Sequence, residues 1–534
     1  MSPTGRGPLS STVAANWISL QARHSPHRRC LVTADGTVHT FGVVNERVNK
    51  LARALRARGI GRGDLIGILA TDSVDYMVLL MASMKLGATY VPFNYRLAAD
   101  ELALFARTAS LDALVTMARY QEATAAIRAG CPRLRFIASF DDIDGMPRVA
   151  DLIDEQSDGS DLEVVTQPED VISIMFTSGT TGNPKGVMQS MRMLENATAN
   201  ALIDFGFGRD ELRYSASPMF HAAGMGSVYY GIARGFASLI LGQFDPAELL
   251  RWLRSGELTG ALLMPTMLKA LLAQPGVRDQ KYPNLRSILY GGAPMSVPLL
   301  REALEVFDCA FFNTFGAGTE GAGQTMFYPE DHVRALAGEE HLLGSIGKPM
   351  YGVELRLRDV DGRDVGVGEV GEIWTRSNSV MSGYFNDPER TAQAVVDGWF
   401  HAGDLAYRDE EGFLFLAGRR SDMIIRGGEN VYPVEIETVL LTHPAVDSVA
   451  VLGIPDDHWG EVVVAAYEPA AGHSATAAEL AQYCRSRLAA YKVPIQFLVV
   501  PSLPRNANGK VQKHLLAPLF GQPPTVGTDN SSEH

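Results

Sequence analysis

Short apolar segments alternate with amphipathic segments along this 534-residue chain, and this alternation constrains the fold most strongly. Residues 65–70 and 90–93 are apolar almost without interruption, whereas residues 41–58 carry apolar side chains at three- and four-residue spacing. Continuous apolar strands separated by helices are typical of a parallel sheet that is covered on both faces. The pattern therefore predicts an α/β fold with doubly wound subdomains.

The pattern changes twice further along the chain. Residues 141–170 are acidic and rich in Ser and Gly, so we expect a surface connection there. From residue 347 short strands with glycine turns follow, and after residue 419 a smaller α+β unit begins. Strands are predicted at 30–34, 65–70, 90–93, 111–116, 136–139, 171–176, 262–264, 287–290, 354–358, 371–375, 404–408, 413–417, 446–453, 462–468 and 496–500. Helices are predicted at 12–22, 41–58, 74–86, 246–254, 267–273, 297–306, 433–441 and 477–488.

Composition excludes several classes of function. A net charge of −14 argues against a nucleic-acid partner. The four cysteines have no metal-binding or CxxC spacing, which favours a reducing compartment and predicts a cytoplasmic location. The N-terminus has no apolar signal core, and no apolar stretch is long enough to predict a transmembrane segment.

Residues 173–186 have the sequence SIMFTSGTTGNPKG, an apolar strand that ends in glycines, hydroxyls and a lysine. Glycines let a backbone approach an anion closely, while hydroxyls, N–H groups and a lysine can contact phosphate oxygens. The segment therefore predicts a phosphate-binding loop, although a similar turn could close a surface hairpin. It is not a Walker A loop, because Gly186 and Val187 follow Lys185. The candidate phosphate-binding residues are Thr177, Ser178, Gly179, Thr180, Thr181, Gly182 and Lys185.

Two further segments combine small residues in a way that leaves space for a ligand. His221 lies in SPMFHAAGMG, where small neighbours leave volume beside the imidazole; the alternative is an ordinary loop histidine. Gly291, Gly292 and Ala293 follow a predicted strand and would let a flat group lie against the backbone; the alternative is a tight turn.

Three charged residues are candidates for chemistry. Glu320, in NTFGAGTEG, offers a carboxylate, which is a hard oxygen ligand suited to magnesium. Asp404, in WFHAGDL, could accept hydrogen bonds from two hydroxyls, or could cap a turn. Lys510, in PRNANGK, lies in a glycine-marked loop and could equally be a solvated surface lysine.

Taken together, TSGTTGNPKG and the later motifs resemble the adenylate-forming superfamily, most closely the AMP-forming acyl-CoA synthetases. Six motifs occur in the right order over about residues 30–515. The resemblance implies a large N-terminal domain (1–417) of two doubly wound α/β subdomains plus a β-barrel-like portion. It further implies a hinge (418–422) and a small mobile α+β C-terminal domain (423–520). Residues 521–534 are expected to form a disordered tail.

The resemblance also implies roles for the candidate residues. Thr177 and Glu320 would reach Mg²⁺, and His221 would lie beside the acyl carboxylate and the α-phosphate. Lys510 would be the catalytic lysine of the first step. The remaining implied contacts are adenine for Phe315, the nucleotide for Gly316, phosphate for Thr319, ribose for Asp404 and Arg419, and the pantetheine tunnel of coenzyme A for Gly427 and Gly428.

Two positions depart from the family pattern, and a third has two interpretations. FGAGTE has one residue more than the usual motif, and Ser421 stands where the family pivot is usually Asp or Lys. Trp459 would either cover part of the coenzyme A site or belong to a core.

The implied reaction is AMP-forming ligation of a carboxylic acid to coenzyme A, with ATP and Mg²⁺. Because the segments around His221, Gly291 and Gly316 are small and apolar, we expect an apolar fatty or aryl acid. A luciferase-like oxygenase, an amino-acid adenylating enzyme and a nucleotide-binding regulator remain alternatives. The absence of an acid beside His221 disfavours the second. The expected partners are small molecules, and a homodimer is one option for the assembly.

Overall fold

A computed structural model describes residues 13–177, 185–293, 295–316, 318–505 and 511–521. The protein has the predicted mixed α/β fold with a large N-terminal and a small C-terminal domain. By compactness the chain divides into two units: Met1–Arg356 with Trp374–Ala402, and Leu357–Ile373 with Gly403–His534. This division falls within the β-rich segment, before the predicted hinge, so the boundaries at 417 and 422 stay predictions. The predicted tail lies outside the described residues, apart from Gly521.

The first unit contains a mainly parallel sheet, here called sheet I. Its continuous apolar strands are the ones that the sequence predicts, and at one edge it adds two antiparallel strands that the sequence does not predict. In sheet order the strands are Gly383–Tyr384, Lys185–Ser190, Val171–Thr177, Thr89–Pro92, Leu65–Ile68, Ala113–Thr116 and Phe136–Ser139.

A second sheet of the first unit, sheet II, has a parallel centre with antiparallel strands at its ends. Its strands within this unit are Ser345–Pro349, Thr325–Phe327, Ala310–Phe315, Ser287–Gly291, Gly260–Leu263, Leu212–Ser215, Ala237–Ile240, Arg29–Thr33 and Val38–Thr40. In parallel sheets, ligands commonly bind beyond the carboxyl ends of the strands. A ligand is therefore expected near the segments that follow Leu212–Ser215, Ser287–Gly291 and Ala310–Phe315.

Several helices of the first unit begin and end at capping residues that the sequence supplies. For Val74–Leu86, the Ser73 hydroxyl accepts a hydrogen bond from the Tyr76 N–H (3.0 Å), and Gly87 ends the helix with φ +69°. This helix is apolar on all sides and is buried along almost its whole length. The helices are Trp17–His24, Phe41–Ala57, Val74–Leu86, Ala99–Ala109, Gln121–Gly130, Val149–Asp154, Met191–Phe205, Ala222–Arg234, Pro246–Ser255, Pro265–Leu272, Val297–Phe307, Pro329–Leu336 and Pro388–Ala394.

Two sequence predictions about the first unit need correction. The helix predicted at 12–22 starts only at Trp17, after a 3-10 turn at Ala14–Asn16. The segment 141–170 is not merely a surface connection, because Val149–Asp154 is a helix that buries Leu152.

The same segment also contributes to a buried polar cluster. The Lys85 ammonium group is fully buried and donates to the Ser19 hydroxyl (2.8 Å) and to Asn49 Oδ1 (2.6 Å). Asp161 accepts a hydrogen bond from the Asn45 amide (2.9 Å) in the same cluster. Burial lowers the pKa of Lys85 to about 7. The acidic segment is therefore held against the rest of the unit by buried hydrogen bonds, and its polar groups are not all hydrated by solvent.

The second unit contains the predicted small α+β fold. Its sheet has the strand order Glu429–Val431, Ile424–Arg426, Gly460–Pro469 and Val446–Asp456, and Gln496–Val499 pairs with Gly460–Pro469. Its helices are Pro433–Leu441, Ala477–Arg485 and Lys513–Leu516, and Leu414–Arg419 is a further strand of this unit. The apolar side chains of the first two helices pack on the sheet. The barrel-like arrangement predicted for the preceding short strands stays a prediction.

Helices long and apolar enough to cross a bilayer are absent from the described part of the chain. The four cysteines are unpaired, and Cys30, Cys131 and Cys484 are buried.

Candidate active site

The predicted phosphate loop is flanked by a β-hairpin. Val171–Thr177 and Lys185–Ser190 pair antiparallel, with Thr177 directly opposite Lys185. The strands on either side of the loop therefore form a hairpin, as the alternative interpretation predicts. Their pairing brings two predicted phosphate-binding residues side by side. Ser178, Gly179, Thr180, Thr181 and Gly182 lie outside the described residues.

Tyr384 connects Lys185 with Glu320. The Lys185 ammonium nitrogen lies 5.8 Å from the centroid of the Tyr384 ring, and the Tyr384 hydroxyl donates to Glu320 Oε1 at 3.5 Å. Tyr384 is placed there because Gly383–Tyr384 pairs with the strand that begins at Lys185. Burial, followed by the charge of Glu320, raises the pKa of Tyr384, so its hydroxyl remains a donor.

The neighbouring Thr319 is fixed to the same strand. The amide of Gln189 donates to the Thr319 carbonyl oxygen at 3.0 Å, and the Gln189 side-chain oxygen accepts from the Ser173 hydroxyl at 2.7 Å. Sheet I and the Thr319–Glu320 segment are thus joined through this glutamine. The structure thereby brings Thr177, Lys185, Thr319 and Glu320 into one region of the first unit.

Gly291 and Gly316 are glycines for a packing reason. A Cβ on Gly291 would lie 2.3 Å from the Thr314 carbonyl oxygen, and a Cβ on Gly316 would lie 2.2 Å from that of Ala322. Gly292 has φ +74°, which also favours glycine. The tight-turn alternative therefore explains these residue types. A nucleotide contact by Gly291, Gly292, Ala293, Phe315 or Gly316 stays a prediction, although the paired strands place these two segments next to each other.

His221 lies at the start of the helix Ala222–Arg234. Its Nδ1 accepts a hydrogen bond from the Ala223 N–H at 3.4 Å. Burial, followed by the positive charge of Arg96, lowers the pKa of His221, so the neutral imidazole is favoured. With Nδ1 as the acceptor, Nε2 carries the proton and can donate to an oxygen of a substrate carboxylate.

The segment that carries His221 is anchored by Asp72, a residue that the sequence does not single out. Asp72 follows a strand of sheet I, and its Oδ1 accepts from the Met219 N–H at 2.9 Å. Burial raises the pKa of Asp72 to about 7. This hydrogen bond joins the end of a sheet I strand to the His221 segment, which follows a strand of sheet II.

In the second unit, Asp404 and Arg419 face each other across paired strands. They are register partners, and Arg419 Nε lies 3.0 Å from Asp404 Oδ1. Asp404 belongs to the strand Trp399–Arg408, so the turn-capping alternative is wrong. Two residues predicted to contact ribose are therefore adjacent.

A glycine turn of the second unit contains the residues predicted to line the pantetheine tunnel. Gly427 and Gly428 have φ +62° and +87° and link the strands Ile424–Arg426 and Glu429–Val431. A Cβ on Gly427 would lie 2.8 Å from the Trp459 ring, and Trp459 is 46% exposed, which excludes the core alternative for this tryptophan. Lys510 lies outside the described residues, so its role stays a prediction.

Two sequence models of known families match the chain. The model described as AMP-binding enzyme matches residues 18–385, and the model described as AMP-binding enzyme C-terminal domain matches residues 435–510. The chain belongs to the AMP-binding enzyme family. The resemblance inferred from the motifs is confirmed: this member is an acyl-CoA-synthetase-like enzyme of the adenylate-forming superfamily.

Similar proteins match this AMP-binding enzyme over nearly its full length. A feruloyl-CoA synthase from Amycolatopsis sp is 34% identical over 510 residues, which cover 95% of this chain and 99% of the relative. The o-succinylbenzoate coenzyme A synthetase MenE from Bacillus subtilis, solved with ATP and magnesium ion, has a TM-score of 0.83 at 30% identity and covers 94% of this chain and 99% of that chain. The amide bond synthetase McbA from Marinactinospora thermotolerans has a TM-score of 0.86 at 28% identity and covers 95% of this chain and 100% of that chain.

The magnesium requirement of such enzymes can be tested against the residues present. Among the described residues, no three His, Cys, Asp or Glu side chains are grouped to hold a metal ion. Mg²⁺ at nucleotide sites is usually held by one or two carboxylates together with substrate phosphates. The carboxylate of Glu320, near Lys185 and hydrogen-bonded by Tyr384, fits a site of that kind.

Proposed function

We propose that this protein is an AMP-forming acid–CoA ligase for an aryl acid or another apolar carboxylic acid. The arrangement of Lys185, Tyr384 and Glu320 beside the hairpin supports this proposal most directly. It places a cation and a carboxylate at the entrance of a glycine- and hydroxyl-rich loop, which is the combination that binds phosphates together with Mg²⁺.

In the first half-reaction, a substrate carboxylate oxygen attacks the α-phosphorus of ATP while the bond to pyrophosphate breaks. Thr177 and Lys185, with Ser178, Thr180 and Thr181, hold the departing phosphates. The Nε2–H of His221 donates to the carboxylate and orients it, and Lys510 stabilises charge on the α-phosphate oxygens. Mg²⁺, when bound through Glu320 and Thr177, supplies charge neutralisation for the phosphate oxygens.

In the second half-reaction, the thiolate of coenzyme A attacks the acyl carbonyl carbon, and the bond between that carbon and the AMP oxygen breaks to release AMP. Gly427 and Gly428 lie along the path of the pantetheine arm in this proposal, and Trp459 borders it. Asp404 and Arg419 retain the ribose through both steps. A rotation at 418–422, with Ser421 as pivot, exchanges Lys510 for the glycine loop between the steps.

The names of the similar proteins support an aryl substrate over a long fatty chain. One is a feruloyl-CoA synthase and another an o-succinylbenzoate coenzyme A synthetase. A third similar protein is an amide bond synthetase, so the identity of the acyl acceptor must also be tested. We further propose a cytoplasmic location, because the four cysteines are unpaired. Size-exclusion chromatography with light scattering tests whether the protein forms a homodimer.

The deciding experiment measures pyrophosphate release with a panel of aryl, fatty and amino acids, in the presence and absence of coenzyme A. We expect release with aryl acids and a coenzyme A thioester detectable by mass spectrometry. Adenylation without thioester formation would indicate that the acyl acceptor is an amine or a carrier protein. Light emission in the presence of oxygen would indicate a luciferase-like enzyme. ATP binding with no release for any acid would favour a regulator and contradict the proposal.

A further inference from the structure

A cavity in the first unit lies directly behind the His221 segment. One wall is the helix that begins after His221, through Gly224, Ser227 and Tyr230. The opposite wall is sheet II, through Leu262 and Leu289. Leu289 precedes Gly291 by two positions on the same strand, so the cavity adjoins both segments predicted to surround the acyl group.

Aromatic rings form one wall of this cavity, through Phe207, Tyr230 and Phe236. The Phe207 ring stacks on Phe205 with centroids 4.9 Å apart and meets Phe236 edge-on at 5.7 Å. The Arg213 guanidinium lies 3.7 Å from the centroid of the Phe207 ring. Closely packed rings in mutual contact resist displacement, because moving one would open a void in a packed core. A long, flexible acyl chain would therefore meet this wall.

Arg213 lines the cavity as well, and its side chain is fixed in place by hydrogen bonds. Its guanidinium donates to Glu211 (2.5 Å) and to the Ser287 hydroxyl (3.0 Å), and both the acidic and the basic side chain are buried. Its charge is therefore already paired by a neighbouring carboxylate. This residue offers no available charge to a substrate in the cavity.

Tyr230 brings a hydroxyl to the aromatic wall of the cavity. Its ring belongs to the aromatic group, with the centroid 6.2 Å from that of Phe205. Within the described part of the chain, its hydroxyl makes no hydrogen bond. Burial raises the pKa of Tyr230 to about 12, so the hydroxyl stays protonated. A Cβ on Gly226 would lie 3.3 Å from this hydroxyl, so the absence of a side chain there leaves room beside it.

The adjacent Tyr229 shows the contrast. Its hydroxyl is buried and lies 2.9 Å from the Tyr90 hydroxyl, with which it shares a hydrogen bond. A buried hydroxyl normally has a partner, since leaving it without one is costly. The half-buried Tyr230 instead presents its hydroxyl beside the cavity, where a substrate oxygen can serve as its hydrogen-bond partner.

We propose that Tyr230 is a specificity-determining residue that hydrogen-bonds an oxygen substituent at the end of the substrate opposite its carboxylate. The substrate class is then a compact ring acid with a hydroxyl, methoxy or keto oxygen far from the carboxylate. This inference rests on the proposed acid–CoA ligase function and specifies which acids the enzyme selects.

The test compares 4-hydroxycinnamate with unsubstituted cinnamate in wild type and Tyr230→Phe. For the wild type we expect kcat/KM to be about tenfold higher for the hydroxylated acid, the usual scale of one well-placed hydrogen bond. Tyr230→Phe keeps the ring and removes the hydroxyl. It should lower kcat/KM for the hydroxylated acid by about that factor and leave the value for cinnamate unchanged.

Tyr229→Phe is the matched control, because it removes a hydroxyl from the adjacent residue of the same helix. It should leave the ratio between the two acids as in wild type. A length series from hexanoate to hexadecanoate tests whether the aromatic wall limits chain length in the wild-type enzyme, and we expect hexadecanoate to be at least about tenfold poorer than cinnamate.

The outcomes separate this inference from the proposed function. If acids are activated but Tyr230→Phe leaves the ratio unchanged, or hexadecanoate is preferred, the inference is overturned and the ligase function stands. If no acid releases pyrophosphate, the proposed function itself fails.

Discussion

The two sides of the candidate site differ in the environment of their charged groups. The phosphate side lies around Lys185 and Glu320, and the acyl side lies around His221 and the cavity. On the phosphate side, Lys185 begins a strand and Glu320 lies in a turn between two strands, and both are only partly buried. On the acyl side, burial raises the pKa of Asp72 to about 7, and Arg213 is paired with Glu211. A highly charged nucleotide and an uncharged acyl tail require these opposite environments. Substitutions should accordingly abolish chemistry on one side and change selectivity or stability on the other.

The largest effect is expected at Lys510, on the phosphate side. Lys510→Ala should lower acyl-AMP formation by about 10²- to 10³-fold, because a cation beside the reacting phosphate is lost. Thioester formation from supplied acyl-AMP should stay within a few-fold of wild type. Single-turnover assays of the two half-reactions measure both.

Lys513→Ala serves as its control, since that lysine pairs with Glu437 (2.8 Å) and such partly exposed pairs contribute little to stability. The control should retain both half-reactions. Equal loss of both half-reactions in Lys510→Ala would contradict the assigned role and the rotation.

Glu320→Gln should have the next largest effect. Loss of the carboxylate is expected to lower adenylation by about 10²-fold and to raise the Mg²⁺ concentration at half-maximal rate. Glu340→Gln, which neutralises an exposed glutamate paired with Arg301, is the control. An unchanged Mg²⁺ titration in Glu320→Gln would place the metal elsewhere.

Tyr384→Phe tests whether the phosphate side depends on a group that only positions Glu320. Removing the hydroxyl should lower adenylation by about fivefold and raise the half-maximal Mg²⁺ concentration, while KM for the acid stays constant. The exposed Tyr351, changed to Phe, is the comparison. A shift in KM for the acid with no change in the Mg²⁺ titration would show that Tyr384 affects acid binding and does not position Glu320.

The smallest effect is expected from Asp72→Asn on the acyl side, where it concerns stability. The pKa of Asp72 is about 7 in the folded protein and near 3.8 in the unfolded chain, so the folded state binds the extra proton between these values. Stability of the wild type should therefore decrease as pH rises from about 4 to 7, and this contribution is absent in Asp72→Asn.

The asparagine introduced by Asp72→Asn retains a side-chain oxygen that can accept from the Met219 N–H, so the variant should still fold. Thermal melts at pH 5, 6, 7 and 8 are expected to show the variant gaining stability relative to wild type toward pH 8. A difference that is constant over this range, or that falls, would show that Asp72 is ionised in the folded protein at all these pH values.

The sequence predicts the parts of this molecule that depend on local pattern. The helix Val74–Leu86 and the strand Phe136–Ser139 occur at their predicted bounds, because apolar runs and capping residues determine them locally. The sequence does not predict the strand Lys185–Ser190, since KGVMQS has no apolar alternation and forms by pairing with its neighbour. Nor does it predict the helix Val149–Asp154, because the acidic surroundings of this helix resemble a loop.

The candidate site divides in the same way. Lys185, Glu320 and Asp404 are found from motifs, because fixed residue types are needed near phosphates and ribose. Tyr384 and Glu320 are 64 positions apart, so only the folded sheet shows that they are hydrogen-bonded. Tyr230 lies four positions after the SPMFHAAGMG segment, but its aromatic surroundings and its place beside the cavity depend on packing.

The hydrogen bond between Asp72 and Met219 has a consequence for how the enzyme becomes active during folding. It joins residues 147 positions apart, one after a strand of sheet I and the other in the His221 segment beside sheet II. Contacts this distant in sequence tend to form late, because closing so long a loop costs chain entropy. The acyl side is therefore completed only when the two sheets have docked. A chain emerging from the ribosome would acquire most of its helices well before it could select a substrate.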